Sequence, residues 1–498
     1  MKDRRKALPH QSCAPFLPEC RCLFALSLPP CLYLSSVLPV TGRERLGTLL
    51  PDVCFRSAAP SRWIFCNSHS GPRMPSSLTR RSFSFGLTGL LAAPAFARAS
   101  SFTPAETPPM LETLKWAPKT RTRVQAVMSE YGQYSEKYDQ AHRPYAVFDW
   151  DETAIVGNVQ ETLFHYMLEH FSFLLPAHEF RHLIHTHMPE KALPAPFTTI
   201  AGKPVSQPLL VEDILEDYRA LQARYGHLPH PLSLEDLDHD PAHQAFRARM
   251  IFYYHSLRTV HGGEEAQRWV LRLLAGQTIT DVLALTRAAN EWGLGQSITP
   301  ITWRCPPDRA GKSGAVEATF VQALRLTPEM ADLFQILQEH GIDPVVCTSS
   351  LEDCTAFFAT SAEYGYNIPR EHIYGARLDE HKKVLLSTES AKYPFPYGSG
   401  KTAIIHKYVI AKRKRPPLMI FAGEESSAHL LSAFPETALC CLINRKQSDS
   451  MTPFLKEASS QRSSATPRLI LQGRDENTGE WIPEEASIFL GETEPRLP

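Results

Sequence analysis

From Thr327 to Ile443 short apolar runs alternate with amphipathic segments, and this alternation constrains the fold more than any other feature of the chain. Thr327–His340 has a helical repeat that stops at Gly341, a residue suited to a helix C-terminus. Asp343–Cys347 reads as a strand running into Thr348, Ser349 and Ser350, followed by a helical segment over Asp353–Tyr364. His372–Arg377 is a short strand. Lys401–Lys412 is a helix opened by Gly398, Ser399 and Gly400. Pro417–Gly423 is a strand meeting Glu424 and Glu425, Ser427–Phe434 is helical, and Ala438–Ile443 is a last strand. Strands that alternate with helices predict a parallel sheet covered on both faces, a doubly wound, Rossmann-like α/β fold. Ligands of such sheets bind beyond the carboxyl ends of the strands.

An earlier apolar run, Tyr145–Phe148, fits the same sheet and ends in Asp149, Trp150, Asp151, Glu152 and Thr153. Two carboxylates two residues apart would point to one face of a continuing strand and repel. Mg²⁺ between them relieves that repulsion, since hard cations take oxygen ligands. One carboxylate can then attack phosphorus while the other handles a proton. The plainer reading is a strand-end turn with a solvated Asp pair. The polar clusters at 149–153, 348–350 and 423–429 lie at three strand ends, which favours a shared site.

Between the first strand and the later ones, residues 155–324 show helical patterning: Thr162–Phe173, Val211–Tyr225, Pro241–Val260 and Glu264–Asn290, with proline-rich breaks at 204–208 and 228–231. A segment this long is an inserted, all-helical cap domain rather than a loop. The core domain is then 100–154 with 325–446, and the Ser-, Pro- and Glu-containing tail 447–498 is expected to be peripheral.

Arg80 and Arg81 precede a modest apolar stretch that ends at Ala97, Arg98 and Ala99. This is the pattern of a twin-arginine export signal over 74–99, predicting contact with the twin-arginine machinery and a periplasmic or secreted product. Such a signal starts a protein, so Met74 is the expected initiator and 1–73 a mis-called start or a non-structural extension; a genuine extension is the alternative. Six of the 11 cysteines precede Met74, and the other five (Cys305, Cys347, Cys354, Cys440, Cys441) lack C-x-x-C spacing, which argues against a zinc site. The balance of 52 Lys and Arg against 53 Asp and Glu gives no sign of nucleic-acid binding. No apolar run of the body is long enough for a stable membrane span.

Four elements stand in order: Asp149-x-Asp151-x-Thr153, Thr348 after an apolar strand, Lys401, and Gly423-Glu424 after another strand. Their succession resembles the haloacid dehalogenase superfamily, in its phosphatase branch with a helical cap after the first motif, over roughly Arg143 to Arg445. The phrases at 326–333, 364–375 and 398–408 are similar to those of bacterial phosphorylcholine phosphatases. The resemblance implies that Asp149 is the nucleophile, forming an aspartyl-phosphate, and that Asp151 protonates the leaving alcohol and then activates water. It implies Mg²⁺ held by Asp149, the Asp151 backbone carbonyl and Glu424. Thr348 would donate to a phosphate oxygen, and Lys401 would neutralise charge on the phosphate and Asp149. Trp150, Thr153 and Ser349, which flank these groups, are expected to contact a small phosphate-ester substrate. The fourth motif departs from the superfamily pattern: Glu424 replaces the usual Asp, and Ser427 or His429 stands where a second acid would fall. A longer side chain fits octahedral Mg²⁺ less easily. A catalytically impaired periplasmic binding protein that kept the fold is therefore the rival to an active enzyme.

Other patterns have plainer readings. Gly398–Thr402 looks like the end of a P-loop, but the full pattern needs glycine where Phe395 stands; Gly311, Lys312 and Ser313 fail likewise at Pro306. The aromatics of the insert (Phe164, Tyr254, Trp269 and others) could hold an ammonium group but more often form core. Its histidines (His165, His170, His178, His182, His185, His187) suggest a metal cluster or a solvated helix surface.

Overall fold

The structure is a computed structural model that describes residues 107–185, 192–227, 231–445 and 450–498. The expected export signal at 74–99, the segment 1–73 with its six cysteines, and His187 lie outside the described residues.

Seven strands form the central sheet: β1 (Tyr145–Phe148), β2 (Asp343–Leu351), β3 (Ile373–Ala376), β4 (Met419–Ala422), β5 (Leu439–Asn444), β6 (Leu469–Asp475) and β7 (Glu480–Trp481). Their order is β3-β2-β1-β4-β5-β6-β7, and all neighbours are parallel except β6 and β7. Val147 of β1 is in register with Ile420 on one side and Val345 on the other. Alternate residues of β1 serve opposite faces, as the pleat requires. Ala146 and Phe148 pack into a core with Val127, Phe334 and Phe358, from the helices Pro118–Tyr131, Pro328–Glu339 and Glu352–Thr360. Tyr145 and Val147 pack with Ile404, Leu430 and Leu455, from Ser399–Ile404, Ala428–Ala433 and Thr452–Ser460. This is the doubly wound α/β class that the alternation predicts. The chain moves outward through β2 and β3, then returns to place β4 on the other side of β1. That reversal opens a crevice beyond the carboxyl ends of β1 and β4.

The helices of the insert, Val159–Glu169, Gln207–Tyr225, Pro241–His261, Gly263–Arg272 and Ile279–Gly295, build a further core that continues into Leu351, Cys354 and Leu378. It is not all helical. Pro300–Arg304 and Glu317–Val321 pair as an antiparallel hairpin. Ala318 and Phe320 face inward while Glu317, Thr319 and Val321 face out, a period-two pattern too short to stand out beside long helices. The stretch expected as one helix over 264–290 is two, because Thr278 and Asp281 form a capping box that starts a new one. The aromatics are core: Phe164, Tyr254 and Trp269 are buried and pack together. His165 packs on Phe320, and His170 Nδ1 lies 2.7 Å from the Leu232 carbonyl oxygen; among the described residues no three His, Cys, Asp or Glu side chains gather as a metal cage. Gly311–Ser313 is a turn held by Asp213, which accepts from Lys312 N–H at 3.0 Å and from Ser313 N–H at 2.8 Å.

The tail corrects an expectation. Far from being peripheral, it supplies β6 and β7, and Leu469, Ile470 and Leu471 are buried against β5. The polar composition around them hides a three-residue apolar run. Among the described residues no helix is long and apolar enough to cross a membrane.

Candidate functional site

β1 ends at the crevice, and its ladder extends one residue further through Asp149 N–H to the Phe421 carbonyl, 3.0 Å away. Asp149 and Asp151 are each 1% exposed. Two buried carboxylates this close need partners, and each has its own set.

Asp149 Oδ1 accepts from Lys401 Nζ at 2.7 Å and from Trp150 N–H at 2.9 Å. Its Oδ2 accepts from Ser427 Oγ at 2.6 Å and Ser426 Oγ at 3.2 Å. Lys401 is fully buried and also donates to Ser426 and Ser427, at 2.8 and 3.0 Å, so all three of its protons are placed. The helix bearing Lys401 starts where it does because Gly400 presses on the Phe395 carbonyl: a Cβ there would sit 1.7 Å from that oxygen. Gly400 thus serves a tight backbone contact and Gly398 a left-handed φ of +52°.

Asp151 Oδ1 accepts from Val159 N–H at 2.8 Å, and its Oδ2 from Ser350 Oγ at 2.6 Å and Thr348 Oγ1 at 3.1 Å. Burial pushes its pKa up to about 7 against these donors, and the Asp149 charge adds to the rise. Burial, reinforced by Asp149 and Asp151, likewise raises Glu424 well above the usual carboxylate range. The Glu424 carboxylate makes no hydrogen bond or ion pair to a described residue. Thr153 Oγ1 is buried without a partner beside Gly423, where a Cβ would come within 2.8 Å of it and 2.2 Å of the Glu152 carbonyl.

Glu152 is held between two guanidinium groups, Arg474 at 2.6 Å and Arg445 at 3.2 Å. Burial opposes its charge, but Arg445 and Arg474 outweigh it and hold the carboxyl at about 2. Its φ of +57° is the left-handed region, which few residues other than glycine adopt. A cavity of about 560 Å³ adjoins the loop, lined by Glu152 and Glu424 together with Asn158, Glu161 and Arg258 of the insert.

The structure thus gathers Asp149, Asp151, Thr348, Lys401 and Thr153, with Glu424 on the adjoining strand end. Thr348 binds Asp151 rather than only capping the next helix. Trp150 does not face the site: its indole is fully buried against Phe358 and Tyr366, which excludes its ring as a substrate contact. Ser349 is buried, and the hydroxyl that reaches Asp151 belongs to Ser350. Of the two candidates for the absent second acid, Ser427 enters the site, while His429 is exposed beside Gly398. Ser426 and the Glu152–Arg474 pair were not legible as site residues.

The donor set suits a divalent cation. Asp149, Glu424 and the Asp151 backbone carbonyl are the oxygens that would hold it, and its charge would relieve the repulsion that Asp149 and Asp151 exert on Glu424, which Arg445 offsets only in part.

No family model matches the sequence, and no curated protein matches it. Solved structures do. A conserved, functionally unknown protein from Anaerococcus prevotii DSM 20548 is 24% identical, with a TM-score of 0.70 over 78% of this chain and 99% of that one. At that identity the likeness establishes the fold. A protein of unknown function from Bordetella pertussis Tohama I is 12% identical over 66% and 98% of the two chains (TM-score 0.33). A phosphoserine phosphohydrolase-like protein from Francisella tularensis subsp. tularensis SCHU S4 is 13% identical over 60% and 87% (TM-score 0.28).

Proposed function

We propose that the chain is a phosphomonoesterase of the haloacid dehalogenase type, working through an aspartyl-phosphate on Asp149. The observation that carries this reading is the fully buried Lys401 ammonium, 2.7 Å from Asp149 Oδ1 at the point where the strand order reverses. A lysine so placed gives the buried Asp149 carboxylate a charged hydrogen-bond donor and fixes its orientation toward a reacting phosphorus.

Asp149 attacks phosphorus while Asp151, poised between its two protonation states, gives a proton to the departing alkoxide oxygen. Asp151 then takes a proton from the water that attacks the acyl-phosphate, and Asp149 is restored. Hydroxyls that hold the carboxylates in the free protein (Thr348, Ser350, Ser426, Ser427) are the donors available to phosphate oxygens as charge spreads over them. Asp149, the Asp151 carbonyl and Glu424 would hold Mg²⁺, which supplies charge neutralisation at the phosphate.

The test is hydrolysis of p-nitrophenyl phosphate with Mg²⁺, with Asp149→Asn as the control. Turnover that persists in Asp149→Asn removes the nucleophile assignment. Glu424, standing in for aspartate, favours a second reading, a binding protein that kept the fold; absence of turnover on every phosphate ester supports it. Phosphorylcholine is the substrate candidate drawn from the sequence phrases and belongs in the same assay. Export by the twin-arginine route completes the proposal; it rests on Arg80, Arg81 and the apolar stretch after them, and fusion of residues 74–99 to a reporter tests it.

A further inference from the structure

The cavity beside the nucleophile loop is larger than a small polar ester needs, and part of its wall is apolar. Besides Glu152 and Glu424 it is lined by Ile298, Val321 and Ala323 of the insert and by Phe489 and Leu490 of the tail. Val321 and Leu490 are 37% and 40% exposed, two of the large apolar side chains left open to solvent, and chain segments far apart in sequence bring them to one cavity. Single exposed apolar residues are ordinary, but a group of them around a concave site is a mark of ligand binding.

The charges exclude an anionic body. Six glutamates and two arginines line the cavity. Both arginines are engaged: Arg258 with Glu161 at 3.1 Å and Glu425 at 3.6 Å, Arg445 with Glu152 at 3.2 Å and Glu476 at 3.7 Å. Among the described lining residues no cation is left over for a second phosphate or a carboxylate, and an added anion would meet the surplus of acids. A volume of about 560 Å³ is in the range that encloses a ligand of many heavy atoms, well beyond a three-carbon alcohol.

We propose that the alcohol half of the substrate is an uncharged apolar body, an aryl or medium-chain alkyl group, received by Ile298, Val321, Phe489 and Leu490. The inference rests on the phosphomonoesterase reading for the phosphate half. It gives the tail a part in choosing the substrate as well as in building the sheet.

The full chain is assayed for kcat/KM with ethyl, butyl and hexyl phosphate, glycerol phosphate and phosphorylcholine. Each buried methylene is worth about fourfold at full burial, so the alkyl series should climb by about two- to fourfold per carbon. Leu490→Asp and Val321→Asp, both at exposed positions that tolerate a charge, should each lower the ratio of hexyl to glycerol phosphate by about tenfold. A flat alkyl series, a preference for glycerol phosphate or phosphorylcholine over hexyl phosphate, or an unchanged ratio in both variants overturns the proposal. If no ester is hydrolysed, the phosphatase reading fails on its own, and calorimetric titration still decides the subsite. Tighter binding of hexyl than ethyl phosphate supports it; equal affinity overturns it.

Discussion

Arg474 Nη2 stands 2.6 Å from Glu152 Oε2 and so ties β6, near the end of the chain, to the middle of the loop that carries Asp149 and Asp151. Arg474 is 1% exposed, and Glu476 at 2.8 Å shares its charge. Glu152, directly after Asp151, occupies the left-handed region, a conformation that persists only where the surroundings enforce it. The guanidinium pair is that enforcement.

Arg474→Met should therefore act on both folding and chemistry. Glu152 would keep Arg445 as a partner, and its side chain is 18% exposed, so the loss should fall at or below the low end for a broken buried pair, about 2–3 kcal/mol by urea unfolding. A loosened loop misplaces the nucleophile, so kcat should fall more than KM rises. Full kcat under conditions where the variant is folded would show that the pair is structural only.

Much of this was legible beforehand, and the failures share a cause. β1, β2 and β4 announced themselves because each is a buried apolar run that ends in polar residues. Lys401 could be placed because it opens a helix and falls in order between Thr348 and Gly423-Glu424. The Glu152–Arg474 pair could not, since a contact across 322 positions leaves no local periodicity. Trp150 was misassigned because adjacency in sequence does not fix direction: its neighbours face the crevice, while its ring turns into the core beside Phe358. Ser350 was passed over for Ser349 because a run of hydroxyl residues does not say which one turns toward Asp151.

Ser427 should be the more telling of the two serines. Its hydroxyl donates to Asp149 Oδ2 at 2.6 Å and accepts from Lys401 at 3.0 Å, bridging both buried charges. Ser427→Ala leaves each one bond short, which costs about 1–3 kcal/mol. Chemical denaturation should register that loss, and kcat on p-nitrophenyl phosphate should drop roughly tenfold. Ser427→Thr, which keeps the hydroxyl, should recover most of both.

His165 gives the chain an acid-sensitive core. Burial holds its pKa down to about 3, with the His255 charge adding, and its Nδ1 is buried without a partner. The unfolded chain binds this proton below about 6.5, the folded chain only near 3, so stability is complete above the unfolded value and falls as pH drops from 6.5 toward 3. His165→Phe, packed on Phe320, removes that slope. At pH 5 the substitution should relieve about 2 kcal/mol of the acid penalty, so that thermal melts at pH 5 and pH 8 differ less than in the parent. An unchanged difference between the two pH values would mean that His165 takes up its proton without unfolding.

Glu424 decides whether the altered fourth motif is a defect or an adaptation. The backbone before it has no room to advance, because Gly423 already packs against the Glu152 carbonyl and Thr153 Oγ1. Shortening the side chain by one methylene in Glu424→Asp would draw the carboxylate back from Asp149 with nothing to make up the distance. The serines that bind Asp149 and Lys401 fill the room a second acid would use, so the site is built around the longer residue. Chelation should abolish turnover in the parent, and Glu424→Asp should need about tenfold more Mg²⁺ for half-maximal rate. Tighter Mg²⁺ activation and faster turnover in Glu424→Asp would show the reverse: the chain would then carry a weakened form of an aspartate-bearing site, and the binding-protein reading would gain.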